Sequence, residues 1–405
     1  MGDRVAVVGA GYAGMAAAVT LAERGISVTV FESGPVPGGR ARRVLSQGHS
    51  VDNGQHVLIG AYTELFRLMR MVGVPADALL RLPLEVRYAK DFSFRALWFP
   101  APFGLLAGLL AARGVPFSER IGAVRFMLAL KKAAFRLDRD IAFNQLLETY
   151  RQDGAIGHYL WRPLCVSALN TPAAQASANV FLAVLRDTLA GEPEASDLLL
   201  PRVDLSRLFP EPAAQFVASR GGEMRLRETV HDLSELQKSH SAVIVAVGPH
   251  QLKTLIADAP EYSYQPIYTC YLQYAETAKL PFPMIGLADG LVQWVFDRGT
   301  LMGERGRLVC VISAQGDHQQ MSLDELAERC HRELASAFPG LGKPEWSRVI
   351  AEKRATVTCS PGFARPETRI DGVLLAGDYT EPEYPPTLEA AVRSGVRAAQ
   401  RILHS

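Results

Sequence analysis

The sequence predicts an α/β fold in which both ends of the chain contribute to one Rossmann-like domain and the middle of the chain forms a second domain. Near the N-terminus, an apolar strand ending at Val8 runs directly into a glycine-rich turn and an alanine-rich helix. Near the C-terminus, another apolar strand ends in Gly377-Asp378 and is also followed by a helix. Strand-turn-helix units with glycine at the turn are typical of parallel sheets that bind dinucleotides.

The N-terminal unit has the spacing of a dinucleotide-binding motif. Gly9, Gly11 and Gly14 form a GxGxxG pattern. The first glycine makes the tight turn, the second lets the backbone approach a pyrophosphate, and the third lets helix and strand pack closely. The N-terminus of the helix supplies partial positive charge for the phosphates. A second strand ends at Glu32, where a carboxylate accepts hydrogen bonds from a ribose.

The loop after Glu32 distinguishes between possible cofactors. The glycine-rich turn alone fits NAD and FAD equally, because both contain an ADP half. Gly38-Gly39 lets the chain pass close over a ligand, and Arg40 offers a forked donor to a phosphate or a flavin carbonyl. Together with Arg42 and the C-terminal strand, this loop resembles the flavin-containing amine oxidase and phytoene desaturase superfamily. The resemblance implies FAD as the cofactor.

The C-terminal segment carries the same resemblance. In this superfamily, the aspartate at the position of Asp378 binds the flavin ribityl chain or the pyrophosphate, and the next helix points its N-terminus at the isoalloxazine ring. That arrangement stabilises the negative charge of a reduced flavin. Plainer interpretations stay open: Asp378 caps a turn, and Glu389 is a solvated helix residue. The cofactor residues that the resemblance implies are Gly9, Gly11, Ala13, Gly14, Glu32, Ser33, Gly39, Arg40, Val230, Gly377, Asp378, Thr387 and Leu388.

One stretch departs from the superfamily pattern. Gly221-Gly222 precedes Val230, the expected adenine contact, and a strand follows at residues 242–247. Superfamily members usually have a β-meander between the glycine pair and that strand, and this chain has only a short segment there. The meander is shortened, or a loop is absent.

Composition and charge indicate a chain with a large core and argue against nucleic-acid binding, metal binding and secretion. With 405 residues, 48% of them hydrophobic, the chain can bury a large core and form two or three domains. A net charge of +1 without a basic stripe argues against nucleic acid as a partner. The five cysteines are scattered without metal or redox spacing, so we expect reduced thiols, a cytoplasmic location and no metal. Residues 1–4 lead straight into a strand, so no secretory signal is expected.

Because the two ends must meet at one cofactor site, we expect a discontinuous FAD-binding domain. We assign residues 1–80, 215–260 and 350–405 to it. Residues 81–214 and 261–349 form the inserted substrate domain, which the resemblance predicts to contain a mixed sheet and helices.

The insert contains two segments that bear on membrane binding. The apolar run at residues 97–112 is interrupted by two prolines and is shorter than the roughly 20 residues of a spanning helix. Residues 121–137 form a basic amphipathic segment, with apolar side chains at Val124, Met127 and Phe135. Such a helix lies on an anionic bilayer, or it packs on the protein's own core with a solvated basic face, and the sequence leaves both open.

Four further motifs lie at residues 52–62, 160–172, 197–202 and 293–299. They resemble one subgroup, the squalene-associated FAD-dependent desaturase-like family, which is identified with hydroxysqualene dehydroxylase of hopanoid biosynthesis. The resemblance implies reductive removal of the allylic hydroxyl of a C30 isoprenoid, hydroxysqualene, to give squalene. An isoprenoid lipid substrate also favours peripheral attachment to the inner face of the cytoplasmic membrane. The oligomeric state is not predicted.

Two other functions remain possible at this point. A carotenoid desaturase acting on phytoene or dehydrosqualene uses the same fold, with hydride passing to the flavin. A non-catalytic prenyl-binding carrier of the GDP-dissociation-inhibitor type also has this fold and lacks bound flavin. The presence of a yellow cofactor separates the carrier from the two enzymes.

The proposed reaction needs a general acid, because hydroxide leaves slowly unless it is protonated. The candidates within the motifs are His56, Asp52 and Tyr62, together with Asp297. His56 ranks first because its reference pKa lies nearest neutrality. Alternatively, the stretch from Asp52 is a turn that bonds its own backbone. The large aromatic residues expected to line an apolar tunnel, or equally to lie in the core, are Trp98, Phe99, Phe103, Trp161, Trp294 and Phe296.

Overall fold

The structure is a computed structural model that describes residues 4–90, 92–99, 102–189, 192–363 and 365–404. Its strands in chain order are β1 Arg4–Val8, β2 Ser27–Glu32, β3 Arg43–Ser46, β4 His49–Asp52, β5 Leu58–Ile59, β6 Leu79–Leu82, β7 Glu85–Arg87, β8 Ser93–Arg95, β9 Leu198–Pro201, β10 Glu223–Leu226, β11 Ala242–Val245, β12 Tyr264–Gln273, β13 Met284–Gly286, β14 Trp294–Asp297, β15 Arg307–Ser313, β16 Trp346–Val357, β17 Arg369–Ile370 and β18 Val373–Leu375. Its helices are α1 Tyr12–Glu23, α2 Thr63–Met71, α3 Phe103–Ala111, α4 Phe117–Lys132, α5 Phe143–Thr149, α6 Arg162–Leu169, α7 Ala178–Leu189, α8 Leu205–Leu208, α9 Pro210–Ser219, α10 Leu233–Ser239, α11 Pro249–Leu252, α12 Arg298–Met302, α13 Leu323–Ala337 and α14 Leu388–Leu403.

Strands from three distant parts of the chain form one six-stranded sheet, in the order β10-β2-β1-β11-β18-β17. The first five strands are parallel, and β17 pairs antiparallel with β18 at the edge. Strand β1 is buried from Val5 to Val8, as its continuous apolar run requires in a sheet covered on both faces. Helices α1, α9 and α14 pack together on one side. This sheet confirms the Rossmann-like part of the predicted α/β fold.

The insert contains a five-stranded sheet in the order β13-β14-β15-β12-β16. All its strand pairs are antiparallel, whereas a mixed sheet was expected. The connections between β13, β14 and β15 are too short for the crossover that parallel neighbours need. A parallel pairing occurs only as an isolated bridge from Tyr88 to Gly286 at the edge, among the described residues.

The two faces of this sheet have different neighbours. On β12, Ile267, Thr269 and Tyr271 face the helices of the insert, and alternate residues such as Cys270 and Leu272 pack with α13. Strand periodicity produces this division, because successive side chains point to opposite faces. The sheet therefore forms a wall between α13 and the interior of the insert.

Three of the predicted domain boundaries fall inside elements. The boundary after residue 80 lies within β6. Position 215 lies within α9, which begins at Pro210 and packs on α1. Position 350 lies within β16 of the five-stranded sheet. The exact division into domains therefore stays a prediction. Between Gly222 and β11, where a β-meander is usual, the chain forms β10 and the single helix α10.

A buried carboxylate joins the C-terminal helix to α2. Glu389 of α14 is fully buried and accepts hydrogen bonds from the backbone N–H groups of Glu64 at 3.1 Å and Leu65 at 2.9 Å. It also accepts from Nε of Arg393 at 2.8 Å. An anion at the first turn of a helix stabilises that helix end. Glu389 therefore holds α2 against α14 and is not a solvated helix residue.

Candidate functional site

A cavity of about 1200 Å³ extends from the turn after β1 into the insert. Its first part is lined by the glycine-rich turn, the end of β2 and the N-terminus of α14. Its second part is lined mainly by apolar side chains of the insert. A site for one small ligand typically has about 300–1000 Å³, so this cavity has room for a cofactor and a second molecule. Apolar lining residues include Val86, Phe94, Leu105, Trp161, Phe181 and Trp294.

The glycine-rich turn has the geometry of a dinucleotide cradle. Gly9 has a φ of +104°, and a Cβ there would lie 2.7 Å from the carbonyl oxygen of Ala246. A Cβ on Gly14 would lie 1.9 Å from the carbonyl oxygen of Gly9. Gly11 differs, because the nearest atom to its Cβ position is Cα of Gly39 at 3.9 Å, and its own φ is −71°. Gly9 and Gly14 are needed by the fold, whereas Gly11 leaves space that a pyrophosphate fits.

The acidic end of β2 lies beside this turn. The carboxylate of Glu32 accepts hydrogen bonds from the backbone N–H groups of Ala10 at 2.9 Å and Gly34 at 2.7 Å. The segment after β10 runs alongside, since the N–H of Glu228 donates to the carbonyl of Glu32 at 2.9 Å. The structure thus brings the predicted ribose and adenine contacts to one end of the cavity, which is lined by Ala13, Glu32, Ser33 and Val230.

Arg40 connects the two ends of the chain. Its guanidinium donates to Oδ1 of Asp378 and to the carbonyl oxygen of Ala355, both at 2.7 Å. Asn53 donates from Nδ2 to the carbonyl of Arg40 at 2.9 Å and to Oε2 of Glu352 at 3.1 Å. Burial opposes the charge of Arg40, but facing Asp378 outweighs this and raises the Arg40 pKa. Arg40 and Asp378 were predicted as separate cofactor contacts, and the structure makes them partners of each other in the cavity wall.

The N-terminus of α14 also lines the cavity. Thr387 caps the helix, accepting a hydrogen bond from the N–H of Ala390 at 3.2 Å. Gly377, Thr387 and Leu388 all border the cavity, as predicted for flavin-binding residues. The first-turn carboxylate of Glu389 is directed to α2, so the partial positive charge of the helix end is available to a ligand.

Of the three predicted catalytic residues, His56 and Tyr62 line the cavity. Nδ1 of His56 lies 3.4 Å from the carbonyl oxygen of Gly54. Burial lowers the pKa of His56, the charge of Arg40 lowers it further, and the Gly54 carbonyl acts in the opposite direction. His56 is therefore neutral at pH 7. Burial raises the pKa of Tyr62, so this phenol stays protonated.

Asp52 does not line the cavity. The prediction that it is a catalytic residue is therefore not supported by its position. Its Oδ2 accepts from Nη1 of Arg298 at 2.9 Å, and its Oδ1 accepts from the N–H of Leu205 at 2.9 Å. All of these groups are buried. Asp52 ends β4, it is not among the residues that line the cavity, and both of its carboxylate oxygens are already bonded. Its bonds hold β4, α8 and α12 together.

Asp297 also has a structural role. Its carboxylate caps α12, accepting from the N–H of Thr300 at 3.1 Å, and it accepts from the N–H of Leu280 at 3.1 Å.

The aromatic residues predicted to line a tunnel divide into two groups. Trp161, Trp294 and Phe296 line the cavity. The other three are solvent-exposed, namely Trp98 at 91%, Phe99 at 53% and Phe103 at 65%.

No sequence pattern indicates two of the polar groups that the structure places in the cavity. Thr269 Oγ1 and Gln55 Oε1 are buried, line the cavity and have no hydrogen-bond partner. A threonine within an alternating strand pattern is ordinary, so only its position in the sheet reveals it. The structure also brings together three of the scattered cysteines, with Cys270 and Cys310 on the sheet and Cys330 on α13, which packs against it. Among the described residues, no group of side chains has the arrangement of a metal site.

A dinucleotide cradle that opens into an apolar chamber defines the protein as a cofactor-dependent oxidoreductase. Residues 12–403 match the flavin containing amine oxidoreductase family. The chain belongs to that family, and its cofactor is FAD. The predicted superfamily resemblance is thereby confirmed.

Full-length relatives agree with this assignment. The chain is 28% identical to hydroxysqualene dehydroxylase of Zymomonas mobilis over 98% of both proteins. It is 27% identical to hydroxysqualene dehydroxylase of Sinorhizobium fredii, over 100% of this chain and 99% of that protein. The identity to zeta-carotene desaturase of Arabidopsis thaliana is 25%, over 98% of this chain and 85% of that protein. These relatives confirm the resemblance to the squalene-associated subgroup.

Solved structures share the fold at low identity. An oxidoreductase from Methanosarcina mazei superposes with a TM-score of 0.75 at 13% identity, covering 99% of this chain and 100% of that one. Cyclohexylamine oxidase from Brevibacterium oxydans superposes with a TM-score of 0.70 at 16% identity, covering 100% of this chain and 99% of that one.

Because Gly11 and Gly14 have different surroundings, we predict different effects for a valine at each position. Gly11→Val puts a branched side chain into the open part of the cradle, so we expect a folded protein that lacks flavin absorbance. It should melt below the FAD-loaded wild type, because bound cofactor stabilises the folded state. Gly14→Val forces a side chain against the Gly9 carbonyl, so we expect loss of the fold itself. Circular dichroism and the absorbance spectrum of each purified variant test this. Normal flavin content in Gly11→Val would contradict the assignment of the cradle.

Proposed function

We propose that the protein reduces hydroxysqualene to squalene, as an enzyme of squalene and hopanoid biosynthesis. The observation that carries this proposal is the apolar chamber that continues directly from the FAD cradle. The relatives named hydroxysqualene dehydroxylase support it, and the zeta-carotene desaturases are less similar. Desaturation of a carotenoid precursor is the second candidate. The relatives reported above are enzymes, so the carrier alternative has no support.

The chamber fits a long hydrocarbon. Its walls are side chains of the five-stranded sheet and of helical segments of the insert, among them Leu105, Leu160, Phe181, Met284 and Val311. Each CH₂ group transferred from water to such an environment contributes about 0.8 kcal/mol. A C30 isoprenoid has many such groups, so burial in this chamber supplies its binding energy without charged contacts.

The reaction exchanges a hydroxyl group for hydrogen. The allylic C–O bond breaks, the oxygen takes up one proton and leaves as water, and a C–H bond forms at carbon. FAD, when bound and reduced, supplies the hydride. The chain holds the hydrocarbon, excludes water from the chamber and supplies the proton at the departing oxygen. We assign the proton to His56, which lines the cavity and must be in its protonated form to donate.

A single-turnover experiment tests the proposed function. Enzyme reduced with dithionite is mixed with hydroxysqualene without oxygen. We expect squalene to form as the flavin reoxidises, in equal amounts. An oxidised enzyme that desaturates phytoene and leaves hydroxysqualene unchanged would establish the second candidate instead.

The lowered pKa of His56 gives this reaction a predicted pH dependence. The acid form of His56 is lost as the pH rises through a value below 6.5, so kcat is expected to increase as the pH falls from 8 towards that value. His56→Gln should keep its FAD, lose turnover by roughly a hundredfold or more, and show no such dependence. Stopped-flow traces of flavin reoxidation between pH 5 and 8 measure this. A parallel pH profile in both proteins would assign the proton to another group.

We also propose that the enzyme takes its substrate from the inner face of the cytoplasmic membrane. Helix α3 has Leu105 in the cavity wall and Phe103 at the surface, next to exposed Trp98 and Phe99. Pro100 and Ala101, within the same apolar run, lie outside the described residues. Helix α4 packs beside α3 and exposes Arg125, among other basic residues. No helix in the described part of the chain is long and apolar enough to cross a bilayer.

The apolar side of α4 is not part of this surface. Phe126, Met127 and Leu130 are buried in the core of the insert, as is Phe135 after the helix. The alternative of a helix packed on its own core therefore describes α4. The inserting groups are the exposed aromatics before and at the start of α3, while the basic face of α4 attracts anionic lipid.

To test the membrane proposal, a triple variant replaces Trp98, Phe99 and Phe103 with Ser. We expect it to lose flotation with anionic liposomes and to keep FAD, because none of the three lines the cavity. The control variant replaces Leu45, Leu226 and Leu323, which are also exposed, with Ser. We expect this control to float with anionic liposomes as the wild type does. Salt should weaken wild-type binding only in part, because it screens the basic residues alone. If the wild-type protein does not float at low salt, the membrane proposal is wrong.

A further inference from the structure

We propose that Thr269 and Gln55 form a hydroxyl-binding pocket that holds the allylic oxygen of the substrate. This inference rests on the proposed function and adds the residues that recognise the group to be removed. A substrate that is otherwise hydrocarbon must bury one hydroxyl in the cavity. Burial of a hydroxyl without a partner is costly, so the enzyme needs complementary polar atoms at that point.

Thr269 is a hydroxyl within an apolar row of the sheet. Across the strands it lies between Val311 of β15 and Ile350 of β16, and Trp294 of β14 lies opposite Val311. All four side chains line the cavity. The Nε1 group of Trp294 donates to Oγ of Ser167 at 2.9 Å. Thr269 is completely buried, and its Oγ1 has no partner.

Two other polar side chains on this face of the sheet, those of Tyr271 and Glu352, are already bonded. The hydroxyl of Tyr271 donates to the carbonyl oxygen of Asp52 at 2.9 Å. The carboxylate of Glu352 accepts from Nδ2 of Asn53 and from the N–H of Arg354. Thr269 differs from them, because its hydroxyl is left with both its donor and its acceptor capacity inside the cavity.

Gln55, the residue after Gly54, supplies a second polar atom of the cavity wall. Its Oε1 is buried in the cavity wall and accepts no hydrogen bond. The Cβ position of the adjacent Gly54 lies 3.8 Å from Thr269 Oγ1 and 3.7 Å from Cε1 of His56. The open space beside Gly54 therefore adjoins both the threonine hydroxyl and the imidazole.

The two atoms complement an alcohol. A substrate hydroxyl is one donor and an acceptor. It can donate to Gln55 Oε1, which only accepts, and accept from the Thr269 hydroxyl. The oxygen is then held beside His56, the proposed proton donor. Thr269 and Gln55 bind the substrate in this scheme, and His56 transfers the proton.

The pocket lies where the cofactor cradle meets the apolar chamber. Gly54 and Gln55 follow Asn53, whose side chain bonds the carbonyl of Arg40, and Arg40 pairs with Asp378 of the cradle. An oxygen held here is at the cofactor end of the hydrocarbon. Because squalene lacks the hydroxyl, it leaves both polar atoms without a partner, so the pocket favours substrate over product.

The test compares binding of hydroxysqualene and squalene to the FAD-loaded protein. Both lipids are presented at equal mole fraction in detergent micelles, and flavin absorbance changes report binding. Thr269→Val keeps the shape of the side chain and removes the hydroxyl. We expect its dissociation constant for hydroxysqualene to rise roughly five- to tenfold, the value of one neutral hydrogen bond, while that for squalene does not rise. KM should increase by the same factor, with kcat little changed.

Two further variants act as controls. Thr269→Ser keeps a hydroxyl at the same place and should retain the preference for hydroxysqualene. The double variant Thr269→Val with Val311→Thr moves the hydroxyl to the neighbouring strand without changing composition, and should not restore the preference. If the double variant again prefers hydroxysqualene to squalene, any hydroxyl in the chamber suffices. That result would contradict the proposed hydroxyl-binding pocket.

The remaining outcomes are also decisive. Equal weakening for both lipids in Thr269→Val would mean a packing defect and would overturn the proposal. A shifted flavin spectrum without lipid, together with unchanged preference, would assign the hydroxyl to the cofactor and overturn it as well. If the wild-type protein binds hydroxysqualene selectively through Thr269 but forms no squalene, the proposed function fails while the hydroxyl-binding pocket stands.

Discussion

The ion pair between Arg40 and Asp378 is the contact on which the site depends. It joins residues 338 positions apart, and Arg40 also bonds the carbonyl oxygen of Ala355 at the end of the second sheet. A charge away from water is stable only when it is paired, so each partner fixes the position of the other. The pair therefore holds the N-terminal loop, the C-terminal strand and β16 at one place, and the N-terminus of α14 faces the turn after β1 as a result.

The five-stranded sheet extends this site into the insert. One face of β12 and β15 contributes Thr269 and Val311 to the cavity, and the other face contributes Cys270 and Cys310 to the core against α13. Strand alternation thus gives an apolar chamber wall and a packed support from the same two strands. A wall held from behind keeps a single hydroxyl at a fixed position, which a loop would not do.

On the outer side of the insert, α3 and α4 pack side by side at the protein surface. Helix α3 is one layer between the chamber and the surface, with Leu105 inward and Phe103 outward. Helix α4 buries its apolar side and exposes basic residues next to it. In our proposal, a hydrocarbon then passes from the bilayer to the chamber across one helix and remains in apolar surroundings throughout.

The sequence by itself determined the dinucleotide cradle, because Gly9, Gly11 and Gly14 act through local backbone geometry that the pattern records. The cofactor and the family followed from longer motifs, namely the loop with Arg40, the strand that ends at Asp378 and the four further motifs. The tertiary structure decided the rest of the site. Asp52 and His56 are close in sequence, yet one is directed into a buried ion pair with Arg298 and the other lines the cavity. Thr269 shares no motif with Gly54, and the two are close only because β12 packs against the loop after β4. Such contacts depend on which elements pack together, and a pattern of residue types along the chain does not record that.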